Sequence, residues 1–239
     1  MAPSEYRGFP VPGNISRWWD QNTMSVRWWR AGIDAVVERP EPEPEPKAVE
    51  FIAWPKTPRL FRDIIVTEKI DGTNAAIHIT ENPELPGTYA VQAQSRNRLI
   101  YPGADNYGFA AWVSENAAQL IELLGPGVHF GEWWGKGIQR GYNQSGRNFS
   151  LFNTDRHKTV STLVGGVIVK PVPVLYHGTF SEARIRVALA KLEISGSVAS
   201  PGFGNPEGVC VWHSQTRQVF KVTLDHNDAG KWESAPTAA

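Results

Sequence analysis

The chain has 239 residues, and its 24 Lys+Arg balance 24 Asp+Glu, so the formal net charge is zero and no overall basic field draws it to nucleic acid. Hydrophobic residues at 41% and charged residues at 20% are ordinary for a globular protein and exclude wholesale disorder. The single cysteine, Cys210, excludes an intramolecular disulfide and a Cys-rich zinc site. No apolar run approaches the roughly 20 residues a membrane helix needs, and MAPSEYRGFP lacks a signal peptide's apolar core, so a reducing cytoplasm is the expected setting.

In chain order, residues 1–39 form a Trp/Arg-rich segment in which SRWW at 16–19 returns as VRWW at 26–29. Indoles stacking on bases beside Arg17, Arg27 and Arg30 are one reading, and an amphipathic membrane-surface segment is another. Packing of these rings on the body is the expected one, since so short a piece cannot fold alone and large aromatics are usually buried. PEPEPEP at 40–46 blocks helix and sheet hydrogen bonding while its glutamates repel, which predicts an extended, solvated linker over 40–48. A body over 49–225 and a tail over 226–239 follow.

Within the body, IIVTEKI (64–70), AAIHIT (75–80) and TYAVQAQS (88–95) read as strands, with turns at DGTN and NPELPG. FAAWVSENAAQLIELL, 109–124, has helical spacing and a Gly-Pro stop. GVHFGEWWG (127–135) reads as a strand, LVGGVIVKPVPVLY as a strand followed by a second helix in SEARIRVALAKLEI, and GVCVWHS (208–214) and QVFKVTL (218–224) as short strands. Strands outnumber helices without strict βαβ alternation, so the fold class is α+β.

Four polar clusters interrupt these apolar strands. In Thr67-Glu68-Lys69-Ile70-Asp71-Gly72-Thr73-Asn74, a lysine at a strand end is displayed from rigid backbone toward a cleft. There its amine can be made nucleophilic, although a solvated lysine beside a β-turn is the plainer reading of those residues alone. Arg96 and Arg98 offer guanidinium groups for phosphate or ribose, Glu132 lies between glycines at a strand end, and Glu207-Gly208 and Lys221 belong to late strands. The six histidines are scattered without ligand spacing, no phosphate-binding G-x-x-x-x-G-K-[ST] loop is present, and Cys210 in its apolar strand reads as a buried, inert thiol.

The ordered set Glu68-Lys69-Ile70-Asp71-Gly72-Thr73-Asn74, Ser95-Arg96, Gly131-Glu132, Phe152, Glu207-Gly208 and Phe220-Lys221 resembles the covalent nucleotidyltransferase superfamily of ATP-dependent DNA and RNA ligases and mRNA capping enzymes. Within it, Glu-Lys-x-x-Gly-Thr-Asn most resembles the RNA ligase 2 type. The resemblance implies an ATP-grasp-like domain of antiparallel sheets flanked by helices. It also implies an ATP-dependent RNA ligase that joins 5′-phosphate and 3′-hydroxyl ends through a lysyl–AMP intermediate.

By that resemblance Lys69 attacks the α-phosphate and Lys221 neutralises charge there. Glu68 reads the adenine edge, Phe152 (or Phe149) stacks on the base, and Arg96 and Glu132 hold the ribose. Glu207 places Mg2+, with Mn2+ as an alternative, and Asp71 and Asn74 support the later steps. Two departures stand out. The last motif carries one lysine where the family usually has two, with Val219 or Thr223 in the other place. Only eighteen residues follow Lys221, so no C-terminal accessory domain is expected, and RNA-end binding falls to the body, the RWW segment or a protein partner. The competing readings are a minimal DNA nick-sealing ligase or guanylyltransferase, and a non-catalytic nucleic-acid-binding module on a decayed ligase fold.

Overall fold

A computed structural model describes the strand residues 16–20, 25–30 and 33–37 together with residues 50–225. The linker over 40–48, the tail over 226–239 and the side chains of both RWW repeats lie outside the described residues, so the expected packing of those rings does too. The chain divides into two compact units, Met1–Pro55 and Lys56–Ala239. In the first, β1 (Ser16–Asp20), β2 (Ser25–Arg30) and β3 (Ile33–Val37) form an antiparallel meander. Its register sets the repeats against each other, Arg17 opposite Trp28 and Trp18 opposite Arg27.

The second unit holds two sheets. The small one has strand order β12-β4-β13-β14, built from β4 (Asp63–Lys69), β12 (Val174–Thr179), β13 (Gly208–His213) and β14 (Gln218–Thr223). Because β4 is central, Ile64, Ile65 and Val66 are all buried, which explains its unbroken apolar run. One face packs on α3 (Glu182–Ser195), where Ala188 and Leu192 meet Ile64, Val66, Val209 and Val211. Ser181 caps α3 by accepting from the Arg184 N–H, and the helix stops at Gly196, whose φ of 78° suits only glycine.

The large sheet has seven strands: β5 (Thr73–Glu81), β6 (Tyr89–Ser95), β7 (Leu99–Ile100), β8 (Gly127–Gly135), β9 (Arg147–Leu151), β10 (Thr162–Val164) and β11 (Val167–Pro171), in the order β10-β11-β9-β8-β5-β6-β7. The β9–β11 pair is parallel, the one departure among its described strand pairs from the expected antiparallel pattern. One face is covered by α1 (Phe109–Glu115) and α2 (Ala117–Leu124) over a core of Phe109, Trp112, Trp133 and Phe149, whose ring centroids lie 5.2–6.0 Å apart. Each such ring is worth about 1.5–3 kcal/mol on burial.

Two sequence expectations change. The helix expected over 109–124 is broken at Asn116, whose side-chain amide donates to the Trp112 carbonyl at 2.8 Å and so competes with the helical ladder. The single strand expected in LVGGVIVKPVPVLY is three. Gly165-Gly166, at φ 53° and 80°, turns β10 into β11, and Pro171-Val172-Pro173 carries the chain from the large sheet to the small one. The other crossing is Ile70-Asp71-Gly72, between β4 and β5. It needs glycine because a Cβ at 72 would lie 2.5 Å from the Trp133 carbonyl oxygen. The Glu68 N–H donates to the Pro173 carbonyl at 3.0 Å, so the two crossings run side by side. No helix among the described residues is long and apolar enough to cross a membrane.

Candidate active site

A cleft of about 850 Å³ opens between the sheets of the second unit, and Lys69, Asn74, Arg96, Phe152, Glu207 and Lys221 all line it. That volume suits a nucleotide-sized ligand. Strand alternation explains the small-sheet wall. Ile64 and Val66 pack toward α3, Ile65, Thr67 and Lys69 line the cleft, and Glu68 both lines the cleft and reaches the loop after α3. Register continues the rows across the sheet, placing Lys69 beside Gly208, Thr67 beside Cys210 and Lys221, and Ile65 beside Trp212 and Val219.

At the strand end, Lys69 Nζ donates to Glu207 Oε2 at 2.6 Å, with side-chain exposures of 24% and 17%. This half-buried pair joins two sequence clusters 138 residues apart. On the opposite wall Glu132 is buried and accepts from the Gly72 N–H at 3.1 Å and from Asn74 Nδ2 at 2.9 Å. Burial raises its pKa to about 7, against the pull of the Asn74 bond, the Lys69 charge and the Gly72 N–H. Lys221 and Arg96 are exposed, and among the described residues neither has a hydrogen bond or ion pair, which leaves two cations facing the cleft. Phe152 is 43% exposed in the cleft, with Phe130 beside it, since the Phe152 N–H donates to the Phe130 carbonyl at 2.9 Å. Phe149 is fully buried in the aromatic core, so it is removed as the alternative stacking residue.

Glu68 has other partners than the resemblance implies. It is 1% exposed and lines the cleft, and its carboxylate accepts from Ser197 Oγ at 2.5 Å, Val198 N at 2.9 Å and Ala199 N at 2.8 Å, so the carboxylate itself pins the loop after α3. Burial raises its pKa, opposed by those three bonds and by Lys170. Asp71 is tied to Arg140 at 3.0 Å, and its N–H donates to the Tyr142 hydroxyl at 2.9 Å. Cys210 lies on the cleft wall, only partly buried, in place of the sealed interior expected. Burial still pushes its thiol pKa up and keeps it unreactive.

Arg140 and Tyr142 are missed by sequence reasoning, because nothing local in GKGIQRGYN links them to Asp71. The histidines expected to be scattered are partly gathered by the fold. His129 Nδ1 lies 3.4 Å from His157 Nε2 in a buried pair, and burial lowers both pKa values, that of His157 to about 4.

Among the described residues no cluster of three or more metal-ligating side chains occurs. The hard oxygens of Glu207 nevertheless fit Mg2+, which is commonly held by one or two carboxylates plus substrate phosphates and water.

The family model described as RNA ligase matches residues 62–223, well over half of the chain. Among solved structures, similarity is found to a Naegleria gruberi RNA ligase in several mutant forms. An apo lysine-to-alanine form is 18% identical with a TM-score of 0.46, covering 69% of this chain and 50% of that one. A lysine-to-methionine form with AMP and Mn is 17% identical with a TM-score of 0.45, covering 70% and 51%. A glutamate-to-alanine form with ATP and Mn is 16% identical with a TM-score of 0.47, covering 69% and 50%. The chain thus spans about half the length of these solved structures. No curated protein matches it.

Proposed function

The chain belongs to the RNA ligase family, and from that membership we propose that it is an ATP-dependent RNA ligase working through a covalent lysyl–AMP intermediate. The observation that carries the reading is Lys69 itself. A lysine amine stands at the end of a central strand, half-buried, 2.6 Å from a carboxylate and within one cleft with Arg96, Phe152 and Lys221.

In the first step the Lys69 Nζ–Pα bond forms, the bond from Pα to the bridging oxygen of pyrophosphate breaks, and pyrophosphate leaves with that electron pair. The amine must first lose a proton, and Glu207 is the carboxylate in contact with it. Lys221, without a partner among the described residues, meets the charge that builds on the α-phosphate oxygens. Phe152 supplies an aromatic face for the base, and Arg96 and Glu132 orient the ribose. Glu207 would hold Mg2+, or Mn2+ in its place, whose chemistry is to neutralise phosphate charge. AMP then passes to a 5′-phosphate end and a 3′-hydroxyl displaces it, with Asp71 and Asn74 supporting these steps. RNA ends are the proposed acceptors, the cytoplasm the proposed setting, and a protein partner supplying acceptor binding is proposed because zero net charge supports weak autonomous affinity for nucleic acid.

The test is incubation with Mg2+ and α-labelled ATP or GTP, followed by a denaturing gel. Label from ATP alone, absent in Lys69→Ala, is expected. Label retained by Lys69→Ala would remove the nucleophile assignment, and label from GTP would move the protein to the capping branch.

A further inference from the structure

Arg140 belongs to the loop between β8 and β9, yet its guanidinium spans three segments of the other sheet. Nε donates to Asp71 Oδ2 at 3.0 Å. Nη1 donates to the Asn205 carbonyl at 3.1 Å, to Asn205 Oδ1 at 3.2 Å and to the Pro206 carbonyl at 3.1 Å. Nη2 donates to Asp225 Oδ2 at 3.1 Å. Asp71 lies two residues beyond Lys69, and Pro206 immediately precedes Glu207. The β4–β13 ladder ends at the Lys69–Gly208 pair, so the carbonyls just past it have no strand partner, and Arg140 takes them up.

The loop that presents Arg140 is held in costly backbone. Gln139, Tyr142 and Asn143 have φ of 44°, 53° and 54°, three of the five non-glycine residues with positive φ among those described. Such backbone is disfavoured for residues with a Cβ and persists only where the surroundings over-determine it. The determinants are visible: Tyr142 is fully buried, its hydroxyl accepts from the Asp71 N–H, and its carbonyl accepts from Ser200 Oγ at 2.8 Å. Two side chains of one strained loop therefore converge on Asp71, Arg140 at its carboxylate and Tyr142 at its backbone N–H.

We propose that Arg140 is a positioning residue, a latch that holds the Lys69 end of β4 and the turn before Glu207 so that the amine and carboxylate meet in reactive geometry. It is not among the residues that line the cleft and acts through Asp71 and Pro206. A planar fork is required, because the acceptors lie on three sides of one group, and an ammonium at the end of a flexible stem cannot reach all of them. The proposal rests on the ligase reading above for its kinetic consequence and on the geometry alone for its structural one.

The test uses the full chain with Arg140→Lys, and Arg140→Ala where it folds. Single-turnover attachment of AMP from labelled ATP is expected to slow about 100-fold at saturating ATP, the loss typical of a misplaced reacting group. The ATP concentration at half-saturation should change less than about threefold, because binding groups are untouched, and added guanidinium ion should restore part of the rate of Arg140→Ala. An unchanged rate overturns the proposal. So does a shift confined to half-saturation, which would make Arg140 a nucleotide ligand. Amide hydrogen exchange is read in parallel on the same proteins. Faster exchange of Asp71, Asn205, Glu207 and Gly208 in Arg140→Lys, without a matching rise across β5 or α1, is expected, and unchanged exchange overturns the latch. If the wild-type chain forms no adenylate, the ligase reading fails by itself, and the exchange measurement still decides the latch.

Discussion

Behind Lys69, the small sheet rests on α3 through aliphatic side chains, with Ile64, Val66, Val209 and Val211 meeting Ala188 and Leu192. Behind Glu132, the large sheet rests on α1 through Phe109, Trp112, Trp133 and Phe149. The small-sheet wall, the reactive one in the proposed function, is braced by polar contacts in addition: Glu68 to the 197–199 loop, and Arg140 to Asp71, Asn205 and Pro206. The large-sheet wall, which the proposed function makes the nucleotide-holding one, is fixed by close-packed rings. Apolar truncation should therefore damage the holding wall most, and loss of a hydrogen bond or charge the reactive wall.

The sharpest way to break this comparison is a pair of phenylalanines three residues apart. Phe149→Ala removes a fully buried ring and should cost about 3–5 kcal/mol in chemical denaturation. Phe152→Ala removes a ring that is 43% exposed, and should leave stability within about 1 kcal/mol while weakening ATP binding by about 1–3 kcal/mol, as lost base stacking does. Equal stability losses from the two would mean that the walls are not divided in this way.

A comparison by pH follows in size. The Glu132 pKa is about 7 in the fold against an ordinary 4.5, so the folded state binds its proton more tightly. Its contribution is fully present below pH 4.5 and is lost as pH rises through 7, about 3 kcal/mol in all. His157 runs the other way. Its pKa is about 4 against 6.5, so its contribution is present above pH 6.5 and is lost as pH falls through 4. The two slopes oppose each other across one window and mask each other in the wild-type chain. Urea unfolding at pH 5 and pH 8 should show Glu132→Gln gaining on wild type at the higher pH and His157→Gln gaining at the lower. Curves parallel to wild type would remove both assignments.

The smallest effect concerns the second lysine missing from the last motif. Val219 is 62% exposed on the cleft wall, whereas Thr223 is buried opposite Gly208 in the Lys69 row. Val219→Lys should stay within about 0.5 kcal/mol of wild-type stability and lower the ATP needed for half-maximal labelling about threefold. Thr223→Lys should instead destabilise, by burying an unpaired ammonium. Equal tolerance of the two would show that the row assignment is wrong.

Most strands were legible because alternation and turn residues are local signals; GVHFGEWWG matches β8 end to end. β9 was not, because RNFSL has one polar residue between its apolar ones and is a strand only by virtue of β8 and β11 on either side. The cleft residues were legible as an ordered series, Lys69 and Glu207 above all, because rare residue types interrupt apolar strands at their ends. Glu68 shows the limit of that series. Its place beside Lys69 at the cleft is a sequence fact, but only the loop after α3 determines what its carboxylate meets.

By itself, then, the sequence determined the identity of most strands, the α+β class and the side chains available for chemistry, since each depends on neighbours within a few residues. Only the tertiary structure decided that Phe152 and not Phe149 faces the cleft, that Glu132 is buried against Gly72 and Asn74, and that Arg140 closes on Asp71. The physical reason is separation along the chain. These partners are 58 to 69 residues apart: Glu132 meets Asn74 through the β5–β8 pairing and Arg140 meets Asp71 across the crossover, and no local pattern encodes either contact.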